Sequence, residues 1–195
     1  LPHNNIRANA ETIRGDLLSF YKDADRKIVR YRSYLRDRAM VKLLLLCPVR
    51  LNTVHLLERD MFINGILIIP GSIMKTRNEL TIELPSDVTQ ALNDYLNTRA
   101  DSNARMFATP EGAPLKKTSI YRTLCRGTER ATKIKISSNG FRRLVATYSA
   151  REYGRETAGA LLVVGPEVLR KHYDLSSQSD LLRAAIKRVS SGVSV

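Results

Sequence analysis

Along this chain the apolar positions keep a helical period at both ends and lose it once, near the middle. Residues 1–36 are mainly polar and basic, with Leu17, Phe20, Tyr21, Ala24 and Ile28 at helical spacing. This stretch is expected to be a linker or leader helix. The apolar run that follows predicts a buried helix over 38–46, closed by Pro48, which has no amide hydrogen for a helix ladder. Leu51, Val54, Leu57 and Met61 predict a second helix. The period then changes. Residues 61–70 are rich in β-formers and contain Asn64-Gly65, a strong tight-turn signal. Residues 72–74 and 79–84 are short strand candidates, with Thr76, Arg77 and Asn78 between them. Together they predict a small antiparallel sheet of three strands.

Helical spacing returns after Pro85-Ser86-Asp87, a helix-start signal with an acid in the first turn. Val88, Ala91, Leu92, Tyr95 and Leu96 lie on one side of the helix it opens. Residues 106–114 read as a loop. Thr118 or Ser119 is positioned to cap a helix running to about Arg130, and Ser137 and Ser138 precede another over 141–153. Two more are expected at 157–163 and 166–173, then an amphipathic helix at 179–189 and a tail over 190–195. The fold class is therefore mainly α with a small three-stranded antiparallel sheet, and 37–195 is expected to form one domain.

Charge narrows the partners. The 195 residues carry 32 Lys and Arg against 19 Asp and Glu, a net charge of +13. The basic residues are spread along the chain, as suits a folded surface that meets a polyanion, and double-stranded DNA is the first candidate. Lys116, Lys117, Arg122, Arg126 and Arg130 crowd around one predicted helix. The last three recur every four residues and form a stripe that can follow a DNA backbone or stand as a solvated face. Aromatic content is only 6%, too little for an RNA-binding sheet built on base stacking. Cys47 and Cys125 form no CxxC, so no metal or cofactor is expected. Their number favours a reduced compartment, the cytoplasm. The longest apolar run is too short to span a bilayer.

Four segments carry candidate chemistry: Pro48-Val49-Arg50-Leu51-Asn52, Met74-Lys75-Thr76-Arg77, Asn139-Gly140-Phe141-Arg142-Arg143 and His172-Tyr173-Asp174-Leu175. DNA strand exchange needs a nucleophile that keeps the broken strand covalently bound. It also needs cations on the non-bridging phosphate oxygens and an acid for the departing sugar oxygen.

In the order and spacing of these segments, from about Arg38 to Leu182, the chain resembles the tyrosine recombinase (phage integrase) family. The resemblance implies an integrase-type DNA breaking-rejoining catalytic domain. It implies that Arg50 and Arg142 hold the phosphate, Lys75 is the hairpin lysine and Tyr173 is the nucleophile forming a 3′-phosphotyrosine. It also implies self-association on DNA, as a tetramer, with a C-terminal helix docking into a neighbouring subunit. A bacterial or phage-encoded protein is expected.

Three positions depart from the family pattern. Asn139 replaces the His of His-x-x-Arg, and its amide donates to an oxygen but cannot shuttle a proton. Val164, or Pro166 if Gly165 is matched to the family's Gly, stands where a His or Trp is usual. Thr53 stands in place of an acid three residues after the first Arg. His55 is about 140° around a helix from Arg50 and is a poor substitute, as is His172 beside Tyr173. The function read from the sequence is site-specific DNA recombination, or integration, by cleavage and rejoining. The alternative is a catalytically weakened or inactive DNA-binding protein on the same fold. A type IB topoisomerase is a further relative in chemistry, although the His-Tyr-Asp-Leu segment before a short helix fits a recombinase better.

Overall fold

A computed structural model of the chain describes residues 2–22, 31–162 and 166–173. The expected helix at 179–189 and Val164 lie outside these residues. Helix α1 runs Pro2–Phe20 with a kink at Asn9. Ile6, Ala10, Ile13 and Leu17 form its buried face, and Tyr21, just past its end, is buried with them. Fully burying an aliphatic side chain is worth about 1.5–3 kcal/mol, so this face is enough to dock α1 firmly on α5 (Lys117–Thr132) and α6 (Ser138–Tyr153). Within the leader segment, the described helix lies earlier than Ala24 and Ile28 suggested. Those two residues are outside the described range.

Helix α2, Tyr31–Leu46, begins before the predicted 38 and is buried on every side over 38–45. Its two charged interior residues are paired. Arg38 meets Asp94 at 2.8 Å and donates to the Tyr21 carbonyl, and Lys42 meets Asp87 at 2.8 Å. Both acids belong to α4, Ser86–Leu96, which opens at Pro85 as its sequence predicts. The short α3, Leu51–Leu56, has Arg50 at its N-cap.

The sheet is three-stranded and antiparallel in the order β1 (Phe62–Ile63), β2 (Ile66–Ile69), β3 (Leu80–Glu83). Asn64 and Gly65 make the β1–β2 turn, both with positive φ, 51° and 83°. The strand expected at 72–74 is instead part of a 3₁₀ turn, Gly71–Ile73. The cause is not local in sequence. A Cβ on Gly71 would lie 2.2 Å from the Arg77 carbonyl oxygen, and Arg77 itself turns left-handed at φ 57°. The β2–β3 connection is thus a closed loop in which an extended segment has no neighbour to pair with.

Beyond the sheet, α5 starts at Lys117, one residue ahead of the expected caps, with Lys116 in the N-cap position. Ser137 caps α6, its Oγ accepting from the Gly140 amide at 3.2 Å. Helix α7 is Arg155–Leu162 and α8 is Pro166–His172. A main core joins α1–α6 and the sheet. A second, smaller cluster of Val145, Ala146, Ala150, Ala158, Leu162 and Leu169 fastens α7 and α8 onto α6, and Tyr173 packs against it.

Candidate active site

The Pro48 segment ends α2 and turns the chain into α3, so Arg50 sits half-buried at a helix start. Arg142 lies in the second turn of α6 and is only 2% exposed. A guanidinium this deep needs partners. One terminal nitrogen donates to the Pro48 carbonyl and the other to the Leu162 carbonyl at 3.2 Å, while Nε is buried without a hydrogen-bond partner among the described residues. One side chain therefore ties together the turn that leads to Arg50, helix α6 and the end of α7, just before α8 begins.

Tyr173 follows α8 directly, its amide donating to the Leu169 carbonyl at 2.9 Å. Its ring lies under the Arg142 guanidinium, 4.7 Å from ring centroid to Cζ. Burial alone pushes the phenol pKa up, but the charges and hydrogen bonds of Arg142 and Arg50 outweigh it and hold the group below its ordinary value. Conversely, burial lowers the Arg142 pKa, with Tyr173 opposing and Arg50 adding to the fall. Both guanidiniums thus favour the ionised form of the phenol, Arg142 from over its ring.

The other expected residues are placed as follows. Arg143, next on α6, donates from Nε to the His172 carbonyl at 3.3 Å, a second hold on the Tyr173 segment. Asn139 is exposed in the first turn of α6, one turn before Arg142. Lys75 is exposed in the β2–β3 connection. Among the described residues no hydrogen bond or ion pair joins Lys75 to Arg50, Arg142 or Tyr173. Lys116, Lys117, Arg122, Arg126 and Arg130 are all exposed on α5 or at its start. His55 is occupied elsewhere, its Nδ1 2.9 Å from the Leu115 carbonyl. His172 meets the Tyr173 ring only edge-on, 6.5 Å between centroids.

Two features were not legible beforehand. The Leu162 carbonyl, which accepts from Arg142, is a backbone group that no side-chain motif marks. Thr53, noted in the sequence only as a missing acid, is 3% exposed and donates from Oγ1 to the Ile73 carbonyl at 3.2 Å. Its position three residues after Arg50 was the available signal.

Comparison with known proteins bears on this arrangement. The model of the phage integrase family matches residues 17–153, well over half of the chain. The chain belongs to the phage integrase family. Among solved structures, the chain resembles XerA recombinase with a TM-score of 0.71 at 16% identity, over 95% of this chain and 63% of XerA. It resembles XerH site-specific recombinase, bound to difH substrate in a pre-cleavage complex, with a TM-score of 0.65 at 19% identity over 91% of this chain and 52% of XerH. A lambda integrase tetramer bound to a Holliday junction aligns with a TM-score of 0.56 at 14% identity, over 84% of this chain and 48% of that protein. At such identities the likeness is one of fold, that of tyrosine recombinase catalytic domains. The chain spans between about half and two thirds of these proteins. A search of curated protein sequences finds no match. Among the described residues no helix is long and apolar enough to cross a membrane.

Proposed function

We propose that this protein cleaves and rejoins DNA strands in site-specific recombination, with Tyr173 as nucleophile. The observation that carries the reading is the Arg142 guanidinium 4.7 Å over the Tyr173 ring, with Arg50 adding to the charge that favours the phenolate. A phosphate placed between these guanidiniums meets two positive groups and a nucleophile whose ionised form they favour. The two terminal nitrogens of Arg142 hold the site's backbone and fix its guanidinium beside Tyr173. Lys75 protonates the departing 5′-oxygen, and a 5′-hydroxyl from a partner strand reverses the step. Asn139 adds a neutral donor to the phosphate. Recombinase relatives bound to DNA, one as a tetramer on a Holliday junction, support double-stranded DNA and a second copy of this chain as partners.

Arg143, Lys116, Lys117, Arg122, Arg126 and Arg130 supply the backbone grip in this reading. Lys116 and Lys117 stand at the positive end of the α5 dipole, with no acid in the first turn. Cations there are unfavourable unless an anion docks beside them. A second reading, a DNA-binding protein that no longer cuts, is favoured by one observation: the exposed amide of Asn139 stands where proton transfer would need an imidazole.

A suicide-substrate assay on nicked DNA separates the two readings. Wild type is expected to form a slow-migrating covalent adduct on a denaturing gel, and Tyr173→Phe to bind equally well without forming one. Binding by both proteins with no adduct from either establishes the second reading.

A further inference from the structure

The two cations assigned to the reacting phosphate from the first half of the chain come from different segments. Arg50 begins α3, whereas Lys75 sits on the β2–β3 loop. Apolar packing of Val54 against the core that holds Met74 brings those segments together, and a polar contact adds direction to it. Thr53, in the first turn of α3, donates from Oγ1 to the Ile73 carbonyl at 3.2 Å and lies 3.9 Å from the Met74 sulfur. Ile73 and Met74 are the two residues before Lys75.

The loop is itself a closed unit. The Met74 amide donates to the Gly71 carbonyl and the Arg77 amide to the Met74 carbonyl, each at 3.1 Å. Gly71 fits only because it has no Cβ to strike the Arg77 carbonyl. Fixing one edge of such a unit to α3 fixes where its tip stands.

We infer that Thr53 is a positioning residue that sets Lys75 in register with Arg50, through its hydrogen bond to the Ile73 carbonyl. This rests on the cleavage reading above. In the cleavage step the Tyr173 oxygen bonds to phosphorus and the bond from phosphorus to the 5′-oxygen breaks. The electron pair stays on the 5′-oxygen, which takes a proton from the Lys75 ammonium, and the phenol proton goes to solvent. An acid misplaced by about 1 Å forfeits much of a contribution that reaches about 10²–10⁴-fold. The inference also accounts for the missing acid. A carboxylate at position 53 only accepts hydrogen bonds, and would face a carbonyl oxygen and a thioether with almost no access to water.

The test uses a nicked duplex carrying the sequence the protein selects from a random pool, made with either a normal phosphodiester or a 5′-bridging phosphorothiolate at the cleavage position. An ordinary thiol has a pKa of about 8.5, so a thiolate departs without a proton from Lys75. Thr53→Val keeps the side chain's shape and removes its donor. It is expected to form the adduct about tenfold to 100-fold more slowly than wild type on the phosphodiester, and near the wild-type rate on the phosphorothiolate. Thr53→Ser, which restores the donor, should retain the wild-type rate on both. Thr53→Glu should be at least as slow as Thr53→Val on the phosphodiester. The ratio of the two rates within one sample does not depend on the fraction folded. If Thr53→Val is equally slow on both substrates, or is no slower than wild type on the phosphodiester, the inference fails while the cleavage reading stands. If wild type forms no adduct on either substrate, the cleavage reading itself fails.

Discussion

At the scale of single residues the informative group is the Tyr173 phenol. Burial raises its pKa, and it ends below the ordinary 10.0 only because two guanidiniums reach it. Tyr21, Tyr95 and Tyr148 show the opposite outcome, each pushed upward chiefly by burial. The shift has a defined sign for linkage. A group with a depressed folded pKa contributes stability above its unfolded pKa, here about 10, and loses it as pH falls through the folded value. The same depression that adds stability at high pH makes the phenolate easier to form within the folded site. The near-ultraviolet absorbance difference between wild type and Tyr173→Phe should titrate below the ordinary tyrosine range. Arg50→Ala should move that component upward in pH. A component titrating at or above 10 in wild type would show that the two guanidiniums do not act on the phenol. Arg50 and Tyr173 are readable as candidates from their motifs. That Arg50 and Arg142 both act on the Tyr173 phenol is not, because it depends on how the second core cluster fastens α8 to α6.

Among elements, legibility follows how local the cause is. The Asn64-Gly65 turn and the Pro85-Ser86-Asp87 helix start are fixed by neighbouring residues, and both appear where the sequence puts them. The 3₁₀ turn at Gly71–Ile73 depends on the carbonyl of Arg77, six residues away, and the local sequence suggests a strand there instead. Helix α1 is hard to read for a similar reason. Its buried residues are scattered among Asn, Arg and Glu, and only packing on α5 and α6 reveals the face. That packing is close enough to test. A Cβ on Gly127 of α5 would lie 2.2 Å from the Tyr21 hydroxyl but 3.5 Å from the ring carbon that bears it. Gly127→Ala is therefore expected to cost about 1–3 kcal/mol through overpacking, less a helix-propensity gain of about 1 kcal/mol. In a Tyr21→Phe background the obstructing oxygen is gone, and the same substitution should become neutral or stabilising. Urea unfolding of the four proteins measures the sign. A Gly127→Ala cost that is unchanged by Tyr21→Phe would show that α1 does not dock as described.

For the whole molecule the net charge of +13 is less informative than where the unspent cations stand. Arg36, Arg38, Lys42 and Arg99 each pair with an Asp, and Arg142 is held by two carbonyls. These buried cations hold elements together and leave little field for a partner. On α5, by contrast, Lys116, Lys117, Arg122, Arg126 and Arg130 are exposed. Arg122, Arg126 and Arg130 repeat every four residues, so they form a row that a phosphate backbone can follow. Such cations act by releasing counterions, and their signature is the salt dependence of binding more than its strength at one salt concentration. Replacing all three with Ala should lower the slope of log K against log salt by about 0.9 for each phosphate no longer neutralised, or about 2.7 if all three touch phosphate. Tyr173→Phe should leave the slope unchanged, because removing a neutral hydroxyl releases no counterion. Fluorescence anisotropy on duplex DNA across a salt series gives both slopes. A triple variant with the wild-type slope assigns the row to a solvated face and moves the backbone grip elsewhere. A reduced slope, with affinity lowered equally on specific and unrelated sequences, establishes that α5 grips the backbone without reading the bases.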